Sequence, residues 1–333
     1  MKSMNILFTS VGRRVELISL FKAAYESLTL TGLIVGLDID PLAPALRVCD
    51  VSYMVPPFTS KDYVSAVIDA CERHRVDLVF PLTDPDIGVL SSHRPAIEAT
   101  GARVVAVSAD AARITSDKWL TRSFFASLGL STPESWLPEQ FNPHLVHYPL
   151  FIKPRIGSSS QHAYQLNNAW EAQFFASYVS NPIIQELILG PEITTDVICG
   201  VDGRLLDVVL RKRIAVRSGE VMKGVTIRDD RIVDACCRIA AALPAIGPIT
   251  VQCMIGVDGA PQFTEINARL GGGVPLAIAA GIDVPSLLLR NAMGIDVQKD
   301  AIGNYELGLY MSRFDDSFFV TERERDTVAS HRL

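Results

Sequence analysis

The segment 249–269 constrains the fold of this chain more than any other. Asp258-Gly259 separates two apolar runs rich in β-branched residues, which predicts a β-hairpin with a two-residue turn. Counting back from that turn places Gln252 opposite Glu265. Because side chains alternate between the faces of a strand, Gln252, Glu265 and Asn267 are expected on one face. Carboxylate and amide oxygens suit a hard cation such as Mg²⁺ that carries phosphates, so the hairpin predicts ATP handling.

A polar strand face has a simpler interpretation, because polar side chains on strands usually face water. In this hairpin Cys253, Ile255 and Ile266 are expected on the opposite face, within a strongly apolar segment. A cleft between two parts of the protein therefore suits the polar cluster better than bulk solvent.

Composition limits the classes of function. The 333 residues are 48% hydrophobic and 20% charged, which is typical of a folded chain, and a net charge of −6 disfavours a dedicated nucleic-acid binder. The six cysteines form no C-x-x-C pair, which indicates buried thiols in a reducing compartment. Arg13 and Arg14 interrupt the apolar N-terminus, and no run approaches the ~20 apolar residues of a membrane span. We expect a cytoplasmic protein without a membrane partner.

The first ~110 residues alternate between short apolar strands and helices, a spacing typical of βαβ units. Strands are predicted at Asn5–Ser10, Leu33–Asp38, Asp77–Pro81 and Arg103–Val107. This pattern predicts an α/β domain with a doubly wound parallel sheet. A dinucleotide-binding alternative stays open because Gly12 follows the first strand and Asp38 ends the second, although the remaining glycines of that fingerprint are missing.

The middle of the chain contains two lysines next to features that could bind an anion. Asp117 belongs to a helix N-cap cluster that precedes Lys118. Lys153 ends a strand and is followed by a loop with Gly157 and three serines, Ser158–Ser160. Small residues let backbone N–H groups approach an anion, although such a loop can also be a simple turn.

A strand that ends at Glu186 leads through Gly190-Pro191 into the next part of the chain. A hairpin at Asp202-Gly203 follows, and then a basic stretch. That stretch is equally typical of a charge-protected edge strand and of a phosphate-facing loop. It comprises Arg211, Lys212, Arg213, Arg217 and Lys223.

Taken in order, these motifs resemble the ATP-grasp superfamily, and most closely the ATP-binding unit of carbamoyl-phosphate synthase large subunits and related carboxylate–amine ligases. The segments Gln185-Glu-x-x-x-Gly-x-Glu192 and Glu265-Ile-Asn-x-Arg269 carry most of this resemblance. It implies a Rossmann-like domain over 1–112 and a two-lobed, α+β ATP-grasp domain with a small lobe over 113–183. A C-terminal lobe over 184–320 would hold the metal and substrates, and 321–333 would be a charged tail.

The resemblance also implies roles for individual residues. Arg269 and Lys153 would be catalytic, with Arg269 neutralising the γ-phosphate or an acyl phosphate. Gln252, Glu265 and Asn267 would bind Mg²⁺ or Mn²⁺. ATP would be bound by Lys118 and Lys153 at the phosphates and by Glu192 at the ribose. The full set of implied ATP-binding residues is Lys118, Lys153, Ser158, Ser159, Ser160, Glu186, Leu187, Ile188, Glu192 and Lys223.

The implied function is an ATP-dependent ligase that joins an amino-acid-like carboxylate to an amine through an acyl phosphate, releasing ADP and phosphate. Three alternatives stay open: an acceptor such as a thiol, a carrier-bound group or bicarbonate; a nucleotide-binding module without activity; and a dinucleotide enzyme. The serine loop departs from the family pattern at Gln161-His162, where a second glycine is common. A homodimer is the default expectation for assembly.

Overall fold

A five-stranded, wholly parallel sheet forms the first third of the chain, in the strand order β3-β2-β1-β4-β5. The structure is a computed structural model and describes residues 2–157, 161–297 and 302–333. The strands of this sheet are β1 Ile6–Thr9, β2 Ile34–Asp38, β3 Val51–Met54, β4 Leu78–Pro81 and β5 Arg103–Val104. The predicted doubly wound domain is confirmed, with β3 as a strand that the sequence pattern missed.

Helices cover both faces of this sheet because its strands are apolar on both sides. Leu7 of β1 packs in one core with Val67, and its neighbour Phe8 packs in the other core with Phe21. The helices of this part are α1 Val15–Ser27, α2 Tyr63–His74, α3 Asp84–Ser92 and α4 Arg94–Glu98, with a 3₁₀ turn at Pro44–Arg47.

A four-stranded antiparallel sheet, in the order β6-β9-β7-β8, follows after two helices. Strand β9 spans the predicted boundary at residue 183. Helix α6 packs its Phe125 ring against Phe263 of the C-terminal sheet, with centroids 5.6 Å apart. The elements are α5 Ala109–Ser116, α6 Lys118–Ser127, β6 Ser135–Trp136, a 3₁₀ turn Pro138–Gln140, β7 Leu150–Pro154, β8 Tyr164–Leu166, α7 Ala169–Tyr178 and β9 Pro182–Glu186.

The C-terminal part is built on a six-stranded antiparallel sheet in the order β14-β13-β10-β11-β12-β15. Its core is continuous with the core beneath the parallel sheet, since Val209 and Leu288 belong to the same cluster as Phe8. The elements are β10 Glu192–Cys199, β11 Leu205–Arg217, β12 Glu220–Ile227, α8 Asp230–Ala242, β13 Ile249–Ile255, β14 Pro261–Asn267, α9 Val274–Ala279, α10 Val284–Ala292, β15 Tyr310–Ser312 and α11 Glu322–Ser330.

The hairpin of β13 and β14 differs from its prediction at the turn. Its loop is longer than two residues: Gly256 donates to the carbonyl of Ala260, and Gly259 adopts a φ of +75°. This shifts the register by one residue near the turn, and a bulge in β14 at Thr264 shifts it back. The two shifts cancel, so Gln252 pairs with Glu265 as predicted, although the predicted two-residue turn was wrong.

The charged tail contains a helix. Helix α11 begins with a capping box in which Thr321 and Glu324 exchange hydrogen bonds. Its C-terminal end lies on the edge strand β3, where Met54 N–H donates to the carbonyl of His331 at 2.8 Å.

All six cysteines are free, and four of them are buried. Burial raises the pKa of Cys71, Cys199 and Cys253 to about 12, so these thiols stay protonated. Within the described ranges, no helix has both the length and the apolar character that crossing a membrane requires.

The connection between β9 and β10 passes very close to the end of β13. Ile255 N–H donates to the carbonyl of Pro191 at 3.0 Å. A Cβ built on Gly190 would lie 1.9 Å from the carbonyl oxygen of Ile255. Since backbone atoms cannot yield as a flexible side chain can, position 190 accepts only glycine without a shift of the chain.

We therefore expect Gly190→Ala to lower the free energy of unfolding by about 1–3 kcal/mol, as overpacking does. Gly88 inside α3 has open space around its Cβ position. Gly88→Ala should instead leave stability unchanged or raise it by up to about 1 kcal/mol, through helix propensity. Urea denaturation followed by circular dichroism measures both. Equal midpoints for Gly190→Ala and the unchanged protein would contradict the steric account.

Candidate active site

A cavity of about 500 Å³ opens where the parallel sheet, the small lobe and the C-terminal sheet meet. This volume is typical of small-ligand sites. Each part supplies polar residues to its wall. Among the residues predicted for the site, the cavity brings together Lys118, Lys153, Glu192, Gln252, Glu265, Asn267 and Arg269.

The two lysines are held together by the start of α6 and the end of β7. Asp117 caps α6 by accepting from the Trp119 N–H at 2.9 Å, and it forms an ion pair with Arg155 at 2.6 Å. Lys118 N–H donates to the carbonyl of Arg155 at 3.0 Å. The predicted N-cap therefore also fixes Lys118 next to the strand that carries Lys153.

The Lys153 ammonium group has no carboxylate within ion-pair distance among the residues that the structure describes. Burial lowers its pKa to about 8, helped by the positive charge of Lys118 and opposed by Glu265 and Glu192. In the described part of the chain, no hydrogen bond or ion pair involves its Nζ, which lies 5.8 Å from the centroid of the Phe151 ring. By contrast, Lys118 Nζ donates to the carbonyl of Gly157 at 2.7 Å and lies 3.8 Å from Glu265 Oε1.

The polar face of the β13–β14 hairpin forms one hydrogen-bonded group. Asn267 Nδ2 donates to Gln252 Oε1 at 3.1 Å, and Gln252 Nε2 donates to Glu192 Oε1. Glu192 also accepts from Arg213 at 2.6 Å, so it is already engaged by two side chains. Glu265 lies on the same face of the hairpin, and its Oε1 is 3.8 Å from Lys118 Nζ.

Arg269 connects the hairpin to the parallel-sheet domain. Its guanidinium lies 3.0 Å from Asp84 Oδ2, at the start of α3, and donates to Asn267 Oδ1 at 3.3 Å. These contacts place a cation immediately after the polar face, within reach of a ligand bound there.

A buried ion pair at the cavity wall, Arg211 with Asp196, has no individual role among the sequence predictions. Arg211 donates two hydrogen bonds of 2.7 Å to Asp196, and both side chains are 2% exposed. A Cβ built on Gly273 would lie 1.9 Å from Nη1 of Arg211. The three glycines at 271–273 thus let the backbone pass over this guanidinium. The alternation of side-chain direction along β11 was the available signal, since Arg211 and Arg213 share one face and line the cavity while Lys212 between them is exposed.

Other predicted site residues lie elsewhere. Glu186 is exposed, and Leu187 and Ile188 belong to the connection between the two antiparallel sheets; none of the three lines the cavity. Lys223 is also exposed and outside the wall. Ser158, Ser159 and Ser160 lie outside the described residues.

Asp38, which kept the dinucleotide-binding alternative open, is bound by backbone N–H groups. Asp38 is 7% exposed, and its two oxygens accept from the backbone N–H groups of Gly12 and Asp40 at 2.7 and 2.9 Å. Its carboxylate closes the first strand–helix turn, so it is not directed at a ribose.

Two family models match the chain, one in each half. Residues 6–105 match the PylC-like N-terminal domain. Residues 179–314 match the model described as ATP-grasp in the biosynthetic pathway with Ter operon.

Two curated relatives are ligases by name. A D-alanine--D-alanine ligase of Fusobacterium nucleatum is 28% identical over 140 residues, which is 42% of this chain and 46% of that protein. A 3-methyl-D-ornithine--L-lysine ligase of Methanosarcina mazei is 28% identical over 185 residues, 54% of this chain and 46% of that protein. The chain thus spans about half the length of the curated relatives that it matches.

Solved structures share the fold. The biotin carboxylase domain of 2-oxoglutarate carboxylase from Hydrogenobacter thermophilus, solved with MgADP, ADP and bicarbonate, superposes with a TM-score of 0.69 at 15% identity. The superposition covers 92% of this chain and 73% of that one. With both family models and this architecture in agreement, the predicted resemblance of the chain to the ATP-grasp superfamily is confirmed.

Proposed function

We propose that the chain is an ATP-dependent carboxylate–amine ligase. One observation carries this proposal: a single cavity is lined by Lys118 and Lys153 from one side, by Glu265 and Asn267 from another, and by Arg269 next to them. Phosphoryl transfer needs positioning and charge neutralisation more than a covalent nucleophile, and this set of groups supplies both.

In this proposal Lys118 and Lys153 bind the phosphates of ATP. An unpaired, desolvated ammonium such as Lys153 gains a partner when a phosphate binds, so nucleotide binding removes an electrostatic cost of the empty site. The segment 186–188 would contact adenine from the connection between the sheets. Glu192, held by Arg213 and Gln252, would reach the ribose only by exchanging one of these partners.

The donor set fits a divalent cation that enters with its nucleotide. Among the described residues there is no cluster of three His, Cys, Asp or Glu side chains that could hold a metal alone. Glu265 offers one carboxylate and Asn267 one amide oxygen, and Mg²⁺ commonly takes one or two protein ligands together with phosphate oxygens. We infer that Glu265 and Asn267 hold Mg²⁺ and that Gln252 orients Asn267. When bound, the ion neutralises charge on the transferring phosphate; Mn²⁺ is a second candidate.

The reaction would begin with attack of a substrate carboxylate oxygen on the γ-phosphorus, which forms an acyl phosphate and releases ADP. An amine then attacks the acyl carbon, loses a proton and displaces phosphate. Arg269 is placed to stabilise the acyl phosphate, because it is half-buried next to Asn267. The names of the two curated relatives support amino-acid-like substrates for both steps.

We retain the proposed domain boundaries at 112, 183 and 320, with β9 spanning the second of them. The six free thiols suit the cytoplasm as the compartment. A homodimer is likewise proposed on general grounds only.

The direct test of this function is ADP release from Mg-ATP across a panel of amino acids and small carboxylates, with hydroxylamine as the trapping amine. Carboxylate-dependent ADP release together with hydroxamate formation would support the acyl-phosphate route and identify the acid. Binding of ATP without acid-dependent ADP release would instead favour another acceptor or a nucleotide-binding module.

The metal assignment predicts that Glu265→Ala lowers kcat/KM for ADP release by at least about 100-fold, because charge stabilisation by a metal ion amounts to several kcal/mol. The unfolding midpoint should change little, since Glu265 lies at the cavity surface. Glu26→Ala removes the same charge from the exposed side of α1 and should retain full activity. Near wild-type ATP cleavage by Glu265→Ala would show that the metal is bound elsewhere.

The lowered pKa of Lys153 predicts a pH-dependent affinity for nucleotide. Below pH 8 the ammonium is charged and attracts phosphate; above it the neutral amine does not. The Kd for ADP should therefore rise by up to about tenfold per pH unit above pH 8. Phosphate, with a second pKa of about 6, stays ionised throughout this range.

Calorimetric titrations between pH 7 and 9.5 measure this dependence. Lys153→Arg should flatten it, because arginine does not deprotonate there. Lys61→Arg, at an exposed position, should keep the wild-type profile. If the Kd of the unchanged protein stays constant across this range, Lys153 does not bind the phosphates.

A further inference from the structure

Of the described residues, five arginines lie in the cavity wall and its rim, and four of them have partners. Arg211 binds Asp196, Arg213 binds Glu192, and Arg269 binds Asp84. The fourth, Arg313, donates to the carbonyl of Gly272 and lies 3.6 Å from Glu220. The fifth is Arg14.

Arg14 extends from the first strand–helix turn of the parallel-sheet domain into the cavity wall. Across the described ranges, its guanidinium has no hydrogen bond and no carboxylate within ion-pair distance. Burial lowers its pKa to about 10, with further lowering from Arg269 and Arg313, and Glu220 opposes the shift at longer range. This half-buried cation shares the wall with Arg269 and with the carboxylates of Asp84 and Glu220, neither of which lies within ion-pair distance of it, so a bound anion would supply the missing partner.

Glycine at position 272 keeps the approach to this guanidinium open. A Cβ built on Gly272 would lie 2.8 Å from Nη1 of Arg14 and 3.5 Å from the Glu220 carboxylate. Any side chain at 272 would therefore occupy space next to the guanidinium that is available to a ligand.

The two unpaired cations of the cavity have different surroundings. Lys153 is influenced by Glu265, Lys118 and Glu192, whereas Arg14 is influenced by Arg269, Glu220, Arg313 and Asp84. The two sets share no residue. The cavity wall thus carries these two cations on different elements, Lys153 on β7 and Arg14 at the start of α1.

We propose that Arg14 binds a second carboxylate of the acid substrate, so that the ligase acts on a dicarboxylate. The group activated by phosphorylation lies at Arg269, and the other carboxylate forms a bidentate pair with the Arg14 guanidinium, a geometry that arginine favours. This inference rests on the proposed function for the identity of the reacting group. Arg14 is accordingly a specificity-determining residue contributed by the N-terminal domain.

Binding can be measured without turnover, which separates this inference from the proposed function. Calorimetric titration of the full chain, with Mg²⁺ and the non-hydrolysable analogue AMP-PNP present, would use three dicarboxylates and their monoamides: succinate and succinamate, aspartate and asparagine, glutamate and glutamine. We expect at least one dicarboxylate to bind roughly 10-fold or more tightly than its monoamide, as for hydrogen bonds to a charged group.

Arg14→Gln should abolish that preference while AMP-PNP still binds with its wild-type Kd, which shows that the cavity is folded. Arg14→Lys should retain part of the preference. The matched control is Arg13→Gln, because the Arg13 side chain is 75% exposed and pairs only loosely with Asp315, at 3.6 Å. This variant should bind all six acids as the unchanged protein does.

Equal binding of the dicarboxylate by Arg14→Gln and the unchanged protein would overturn the inference. So would the absence of any dicarboxylate that the unchanged protein binds better than its monoamide. Selective binding that depends on Arg14 but is followed by no ADP release from Mg-ATP would support the anion site and contradict the proposed ligase instead.

Discussion

Positive charge is concentrated in the cavity where the parallel sheet, the small lobe and the C-terminal sheet meet. Two lysines and four arginines line its wall, against the carboxylates of Asp84, Glu192, Glu220 and Glu265. Like charges held this close, and partly out of water, destabilise the fold unless each is paired. Most are paired: Arg269–Asp84 and Lys118–Glu265 link different parts of the fold, whereas Arg211–Asp196 and Arg213–Glu192 lie within the C-terminal sheet. Among the described residues, Lys153 and Arg14 have no carboxylate within ion-pair distance, and these are the positions where a bound anion contributes most.

Close contacts between segments outside the cavity bring these groups together. Gly190 lets the connection between the sheets touch the end of β13, and the Asp117–Arg155 pair ties α6 to β7. Gly273 lets the loop after β14 pass over Arg211. Each contact needs either a missing side chain or a matched charge, so the geometry of the cavity is encoded outside the residues that would touch a ligand.

Much of this architecture was predictable because local patterns agree with the final fold. Strand–helix alternation predicted the parallel sheet, and Asp117 was predicted to cap the helix that starts at Lys118. The hairpin shows the limit. A longer turn moves the register by one residue and a bulge at Thr264 moves it back. The alternation of side chains preserved the polar face, but neither the turn length nor the bulge could be predicted from Asp258-Gly259.

Local sequence is enough to specify which chemical groups are available and which strand faces carry them, because capping, turn chemistry and side-chain alternation act over a few residues. Tertiary structure alone decided which of those groups meet. Helix α11 stands on β3 instead of extending into solvent, and Lys223 lies outside the cavity that Arg211 and Arg213 line. That Arg14 has no paired carboxylate among the described residues is also decided by tertiary structure, since the charged groups around it lie on segments distant along the chain. Desolvation and charge spacing depend on the three-dimensional packing of these segments, which no local pattern records.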